Sequence, residues 1–246
     1  MKKLLTALLL SAFSYEQGYA QTDSASITVE TKKETMSIST GGKAPIRKAY
    51  WGNSLDGMIF STALINDNGN NSLGTLRFSM FFHIGATYNY NFSKGVGIYT
   101  GIDIKNIGFI EKYDAFDLTV KKRVYTLGVP VGLRFGNMKT RDYFFLGGGL
   151  DVAFHYKEKA WSALYSKTKF NDWFSKRSEI LLPYVFAGVC LKGTTLKIQY
   201  YPTNFLNEDY SAFNMATNTY YKPFTGKKVN LLLVSVGRDL KFSRKK

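Results

Sequence analysis

The sequence predicts an all-β protein, an eight-stranded antiparallel up-and-down transmembrane β-barrel, and three observations predict it. After residue 56 the chain falls into eight apolar-rich, Gly-punctuated segments. Their links alternate between long (66–74, 112–121, 159–178, 203–227) and short (92–94, 137–141, 193–194). A barrel with long outer loops and tight periplasmic turns has this rhythm. Several segments also alternate apolar with small or polar residues at period two, as a wall between lipid and a lumen requires. Finally, no segment after the N-terminus offers the ~20 continuous apolar residues of a membrane helix. The longest apolar run, Ile180 to Leu191, contains Pro183 and Gly188.

The elements follow in order. Residues 1–20 form a signal peptide: Lys2 and Lys3 precede the short apolar run Leu4 to Phe13, and Gly18-Tyr19-Ala20 offers small residues for cleavage after Ala20. Export of this kind leads to the cell outer membrane. Residues 21–56 read as a periplasmic tether, rich in Ser, Thr and Lys and without an aromatic residue through 49. Cys190 is the single cysteine, so an intramolecular disulfide and a lipidated N-terminus are both excluded. The chain holds 33 Lys and Arg against 18 Asp and Glu. Losing Lys2, Lys3 and Glu16 with the signal leaves 31 basic and 17 acidic residues, a formal charge of +14. In an exported protein whose basic residues are dispersed, this favours outer-membrane lipid and lipopolysaccharide as partners over nucleic acid.

The barrel is expected over 57–242, with a basic tail at 243–246. A first segment, 57–65, ends at the Asn- and Gly-rich loop 66–71. In the second, 75–91, Phe78, Met80, Phe82, Ile84, Ala86, Tyr88 and Tyr90 face lipid, while Ser79, Phe81, His83, Gly85, Thr87 and Asn89 face inward. In the third, 95–111, Val96, Ile98, Thr100, Ile102 and Ile104 oppose Gly97, Tyr99, Gly101, Asp103 and Lys105. There the pattern slips, and a bulge near Asn106 would keep Ile107 and Phe109 with the outward set. The fourth, 122–136, alternates cleanly from Tyr125 to Phe135, with Pro130 marking a bulge or local distortion. The fifth, 142–158, sends Phe144, Leu146, Leu150, Val152, Phe154 and Tyr156 outward and Asp151, Ala153 and His155 inward. The sixth, 179–192, is apolar on both faces and has no preferred orientation. The seventh and eighth cover 195–202 and 228–242.

The run Tyr125-Thr126-Leu127-Gly128-Val129-Pro130-Val131-Gly132-Leu133-Arg134-Phe135, the stretch Tyr143 to Gly149, the signal peptide and the aromatic last segment resemble the PorT-like outer-membrane β-barrel family of the Bacteroidota. The resemblance covers about 57–242 and implies an eight-stranded outer-membrane barrel. One branch of that family serves type IX protein secretion. The Ser243 to Lys246 tail departs from barrels that end on their last aromatic residue, here Phe242.

The inward polar residues His83, Asp103, Lys105, Arg134, Asp151 and His155 read as a structural cluster that fills the lumen, with His83 beside Asp103 or Lys105 and Arg134 on an acid or backbone carbonyls. His155, on the same face as Asp151 and followed by Ser162 and Ser166, is the candidate for an outer-leaflet lipid enzyme, but the set lacks the spacing of a catalytic motif. No catalytic residue is assigned. Two distant His and one Cys do not form a metal set, and no cofactor is implied. The binding candidates lie in the loop after the fifth segment: Lys157, Lys159, Lys167, Lys169, Lys176 and Arg177, interleaved with Trp161 and Trp173. The last loop, with Phe205, Tyr210, Phe213, Tyr220, Tyr221 and Phe224, reads as a packed lid or a binding surface. The expected function is a non-enzymatic structural or interaction role in the envelope, an accessory of a secretion or assembly machine being its narrower form. The alternatives are a lipid-modifying enzyme and a small-solute transport or binding barrel.

Overall fold

The computed structural model describes residues 48–79, 83–162 and 167–241. The signal peptide, the tether as far as residue 47, residues 80–82, Ser166, Phe242 and the basic tail lie outside the described residues. In chain order the strands are β1 (Ala49–Asp67), β2 (Asn70–Leu73), β3 (Arg77–Ser79), β4 (His83–Asn91), β5 (Val96–Tyr113), β6 (Leu118–Asn137), β7 (Asp142–Ser162), β8 (Thr168–Trp173), β9 (Leu181–Leu191), β10 (Thr194–Tyr201), β11 (Ala212–Asn214), β12 (Thr219–Tyr221) and β13 (Lys227–Lys241).

They make eight staves. β2, β3 and β4 pair in turn with β1 as one interrupted stave, and β8 and β9 pair with β7 as another. Neighbours are antiparallel throughout, and β1 pairs with β13 from Gly52↔Lys241 to Asp67↔Lys227, closing the ring. Closure removes the open edges that no lipid could satisfy. β11 and β12 form a separate hairpin within the last loop. Two tight turns have positive φ at both central residues, Asn68-Gly69 (50° and 91°) and Lys192-Gly193 (50° and 91°). This geometry matches the twist of the strands it joins.

β6 shows how the wall is layered. From Phe135 through Leu133, Val131 and Val129 to Leu127, its outward side chains are exposed and apolar. Phe144, Leu146, Leu150 and Val152 continue the belt on β7, and Leu181, Val185 and Val189 on β9. Tyr125 caps it. The ten residue steps from Tyr125 to Phe135 advance about 33 Å. At the usual 35–45° tilt this is about 25 Å along the axis, the height of a lipid-facing band. The inward partners Arg134, Thr126 and Asp151 are buried. Apolar outside and polar inside, the wall is that of a transmembrane barrel.

The strands overshoot that belt at the end carrying the long links, and there the faces invert. Outward residues on β6 become Arg123 and Lys121, while Val124 and Val120 are buried inside. Beyond the bilayer the outer face meets water, so the physics of a soluble barrel applies: polar out, apolar in. This overturns the expected bulge near Asn106. The β5–β6 register runs without a shift from Val96↔Phe135 to Tyr113↔Leu118, and Ile107 and Phe109 are fully buried on the side of Lys105.

Further differences have similarly local causes. β1 begins at Ala49, so 49–56 belong to the first strand and not to the tether. A register shift between Asp56 and Met58 breaks its alternation at Gly57, where the sequence places the start. Links 66–74 and 112–121 are mostly strand, with turns at 68–69 and 114–117. At Pro130 no residue is inserted. The β5–β6 pairing lapses between Thr100↔Val131 and Asp103↔Gly128, and the Thr100 hydroxyl donates to the Pro130 carbonyl at 3.0 Å. β9 turns Leu182, Tyr184, Phe186 and Cys190 inward.

Candidate functional site

The lumen contains a charge cluster at mid-height. Lys105 on β5 lies 2.9 Å from Asp151 on β7 and 3.3 Å from Asp103 on its own strand, with its ammonium 3.8 Å from the centre of the Tyr184 ring. The Tyr201 hydroxyl donates to Asp151 at 2.6 Å, and Gln199 donates to Tyr201 at 2.6 Å. Gly128 on β6 makes room for this cluster: a Cβ there would stand 2.2 Å from Asp103 Oδ1 and 2.3 Å from Asp151 Oδ1. The structure thus brings Asp103, Lys105 and Asp151 together.

Two members of the expected cluster have other partners. His83 lies 3.9 Å from Asp56, and Asp56 in turn holds Lys197 at 2.7 Å and accepts from Ser235 at 3.1 Å. Asp56 escaped the sequence reading because it falls in the assumed tether. Lys197 escaped because the short β10 carries weak alternation. Arg134 sits nearer the short turns and meets no carboxylate among the described residues: it donates to the Tyr50 hydroxyl at 2.9 Å and to Asn91 at 3.2 Å, with the Tyr143 ring 5.4 Å away. A cavity of about 80 Å³ lies among Asp56, Asp103, Lys105, Tyr184, Lys197 and Gln199. That is room for a few waters.

His155 does not belong to the lumen. Tyr125↔His155 and Thr126↔Ala153 are successive pairs, so Phe154 is an extra residue in β7 and the bulge reverses the faces beyond it. Tyr156 turns inward, 1% exposed, and His155 turns outward. Its ring stacks on Trp173 at 4.4 Å and on Tyr125 at 5.7 Å. The expected Asp151–His155 face is therefore not formed.

Above the charge cluster the lumen is closed by carbon. Ile107, Phe109, Val124, Phe205, Leu206 and Phe224 are all buried, with Phe205, Leu206 and Phe224 supplied by the last loop. Phe109 and Phe205 meet edge to face at 5.6 Å. An ionic lid follows. Glu111 accepts from Lys122 at 3.3 Å and from Lys227, and Lys227 also donates to Tyr113 at 3.0 Å. Burial alone would raise the Glu111 carboxyl, but the Lys122 ammonium and the hydrogen bonds from Lys227 and Tyr113 hold it below the ordinary glutamate value.

The binding candidates of the sequence divide between two faces of the β6–β7–β8 extension. Lys157, Lys159 and Trp161 on β7 and Lys169 and Trp173 on β8 share the outward face, and Lys167 is exposed just before β8. Arg177 lies on the other side, 3.6 Å from Glu158 and with its guanidinium 4.1 Å from the Phe170 ring centre, where it anchors the 174–180 segment. Lys176 is exposed in that segment. β6 adds two outward cations the sequence did not single out, Lys121 and Arg123, since only the register shows what stands beside them. Lys121, Lys159 and Lys169 are direct cross-strand partners. Glu158 and Asp172 alternate onto the opposite face.

No family model matches the chain, and neither does any curated protein. Among solved structures it is similar to Ail, the attachment invasion locus protein of Yersinia pestis, solved in complex with the heparin analogue sucrose octasulfate. The identity is 13%, over 79% of this chain and 100% of that one, at a TM-score of 0.36. Neisserial surface protein A is also similar, at 13% identity over 80% and 98% of the two chains and a TM-score of 0.39.

Proposed function

We propose that this chain is a non-enzymatic protein of the bacterial outer membrane that acts through its extracellular face on other components of the envelope. Export by residues 1–20 with cleavage after Ala20 goes with this reading. The observation that carries it is the closure of the lumen, with a paired charge cluster beneath an apolar plug, while exposed cations and aromatic residues gather on the outer strand ends. The β11–β12 hairpin adds Phe213, Met215, Tyr220 and Tyr221 to that surface. Its surroundings there are outer-leaflet lipid and lipopolysaccharide. Assistance to a secretion machine of the type IX kind, as in one branch of the PorT-like family, is the narrower form of the same proposal.

The rival reading, a lipid enzyme built on His155, has less support because both faces of that imidazole are covered by rings. Native purification from outer membranes, with identification of whatever copurifies, tests the proposal. Stable retention of envelope proteins is the expected result, and secretion components among them would favour the narrower form. A lipid-modifying activity abolished by His155→Ala or His83→Ala would overturn it.

A further inference from the structure

On the outer face of the β6–β7–β8 extension, three lysines stand side by side across three strands. Lys121 is paired with Lys159, and Lys159 with Lys169. The next pairing toward the membrane holds Arg123 and Lys157, followed by Asn171 on β8. The pairing below that is aromatic, Tyr125–His155–Trp173. Under it the outward belt of Leu127, Val129 and Val131 begins. Outward from the bilayer, the wall therefore reads apolar, aromatic, cationic.

None of Lys121, Arg123, Lys157, Lys159 and Lys169 makes an ion pair among the described residues. The acids of the same strands face away: Glu158 is engaged by Arg177, and Asp172 lies opposite Tyr156. Directly opposed like charges destabilise a sheet. Protection of an exposed strand edge would explain lysine on β8. It does not explain Lys121 and Lys159, which lie in strands paired on both sides. Two of the ammoniums lie over rings, that of Lys157 5.0 Å from the Tyr125 ring centre and that of Lys159 5.0 Å from that of Trp161. The neighbouring Lys167 ammonium keeps Lys159 below its ordinary value, as expected of crowded cations.

We propose that this ladder is a docking site for the phosphate groups of a phosphorylated glycolipid in the outer leaflet, with Lys121, Lys159 and Lys169 as its principal ligands. The proposal rests on the outer-membrane reading above and names one partner for it. Cations on adjacent strands about 4.8 Å apart can share the oxygens of one phosphate or clasp two. They stand two same-face pairings beyond the aromatic girdle, with Arg123 and Lys157 in between, on the headgroup side of the apolar belt, and this favours a membrane-borne phosphate over an acidic protein.

The test uses the refolded full-length mature chain, with bisphosphorylated lipid A in vesicles and the same vesicles carrying dephosphorylated lipid A. A triple variant Lys121→Gln/Lys159→Gln/Lys169→Gln is compared with a control at the opposite rim, Lys94→Gln/Lys139→Gln/Lys192→Gln. Unchanged heat-dependent gel mobility checks that each variant folds. The expected result is phosphate-dependent binding that weakens about fivefold per lysine removed, about a hundredfold for the triple ladder variant, and hardly for the control. Equal binding of both lipids, equal loss in both variants, or phosphate binding that survives in the ladder variant would overturn the proposal. So would capture of an acidic envelope protein through the ladder with no preference for phosphorylated lipid. Steady conductance or lipid-modifying activity would instead sink the parent reading while leaving this result in place.

Discussion

Lys105 is held at mid-lumen by two carboxylates and a tyrosine ring, about 1% exposed. A buried ion set of this kind does not by itself show net stabilisation, because desolvation offsets much of the attraction. Removing one partner is another matter. Lys105→Met leaves Asp103 and Asp151 close together without their cation, and should cost about 3–5 kcal/mol in urea unfolding of the refolded barrel. Adding Asp151→Asn should recover part of that loss, so the double variant falls short of the sum of the two singles. Strict additivity would show that the pair is not coupled. Glu111 makes a prediction of a different sign. Its folded carboxyl titrates below the unfolded one, so its contribution is complete above the unfolded value, about 4.3. It is lost as pH falls through that value toward the lower folded one. Protection of residues 202–231 against hydrogen exchange, taken relative to the intrinsic exchange rate at each pH, should therefore fall below about pH 4, and Glu111→Gln should remove most of that pH dependence.

The same accounting applies to the β6–β7–β8 element, where Lys121, Lys159 and Lys169 repel one another whenever no anion is present. In detergent free of lipopolysaccharide and at low salt, Lys159→Gln should raise the unfolding midpoint slightly. The gain should shrink in 1 M salt, where the screening length is about 3 Å. A destabilised variant would mean that the contact of the Lys159 ammonium with the Trp161 ring outweighs its repulsion by the neighbouring lysines. The register behind this prediction also shows what the sequence could convey. Alternation from Leu127 to Phe135 located the membrane wall because lipid outside and polar filling inside impose period two. The same rule misplaced Ile107 and Phe109, since it assumes bilayer along the whole strand. Tyr156 and His155 were assigned to the wrong faces because the Phe154 bulge follows no composition signal, and one inserted residue exchanges every face beyond it. The lysine ladder was readable only as a cationic loop: its residues lie far apart in sequence, and pairing alone brings them together.

For the molecule as a whole, the decisive property is that the barrel is blocked at two levels by unrelated means. At mid-height the obstruction is electrostatic, a set of carboxylates, ammoniums and tyrosines around a cavity of about 80 Å³. Toward the mouth that carries the long links it is apolar, with Phe205, Leu206 and Phe224 folded in from the last loop. An eight-staved ring leaves little interior beyond what its own side chains occupy, and a few waters in that cavity do not form a continuous path for a hydrated ion. Intact protein in planar bilayers should thus carry no steady current. The two blocks should also be separable. Phe205→Ala with Phe224→Ala empties much of the plug and, at about 3–5 kcal/mol per buried aromatic, should lower the unfolding midpoint markedly. The bilayer should nevertheless stay silent, because the cluster around Lys105 is untouched. Current in the plug variant would place the only barrier at the mouth. Steady current in the unaltered protein would show that solute passage, and not contact at the outer surface, is what the barrel provides.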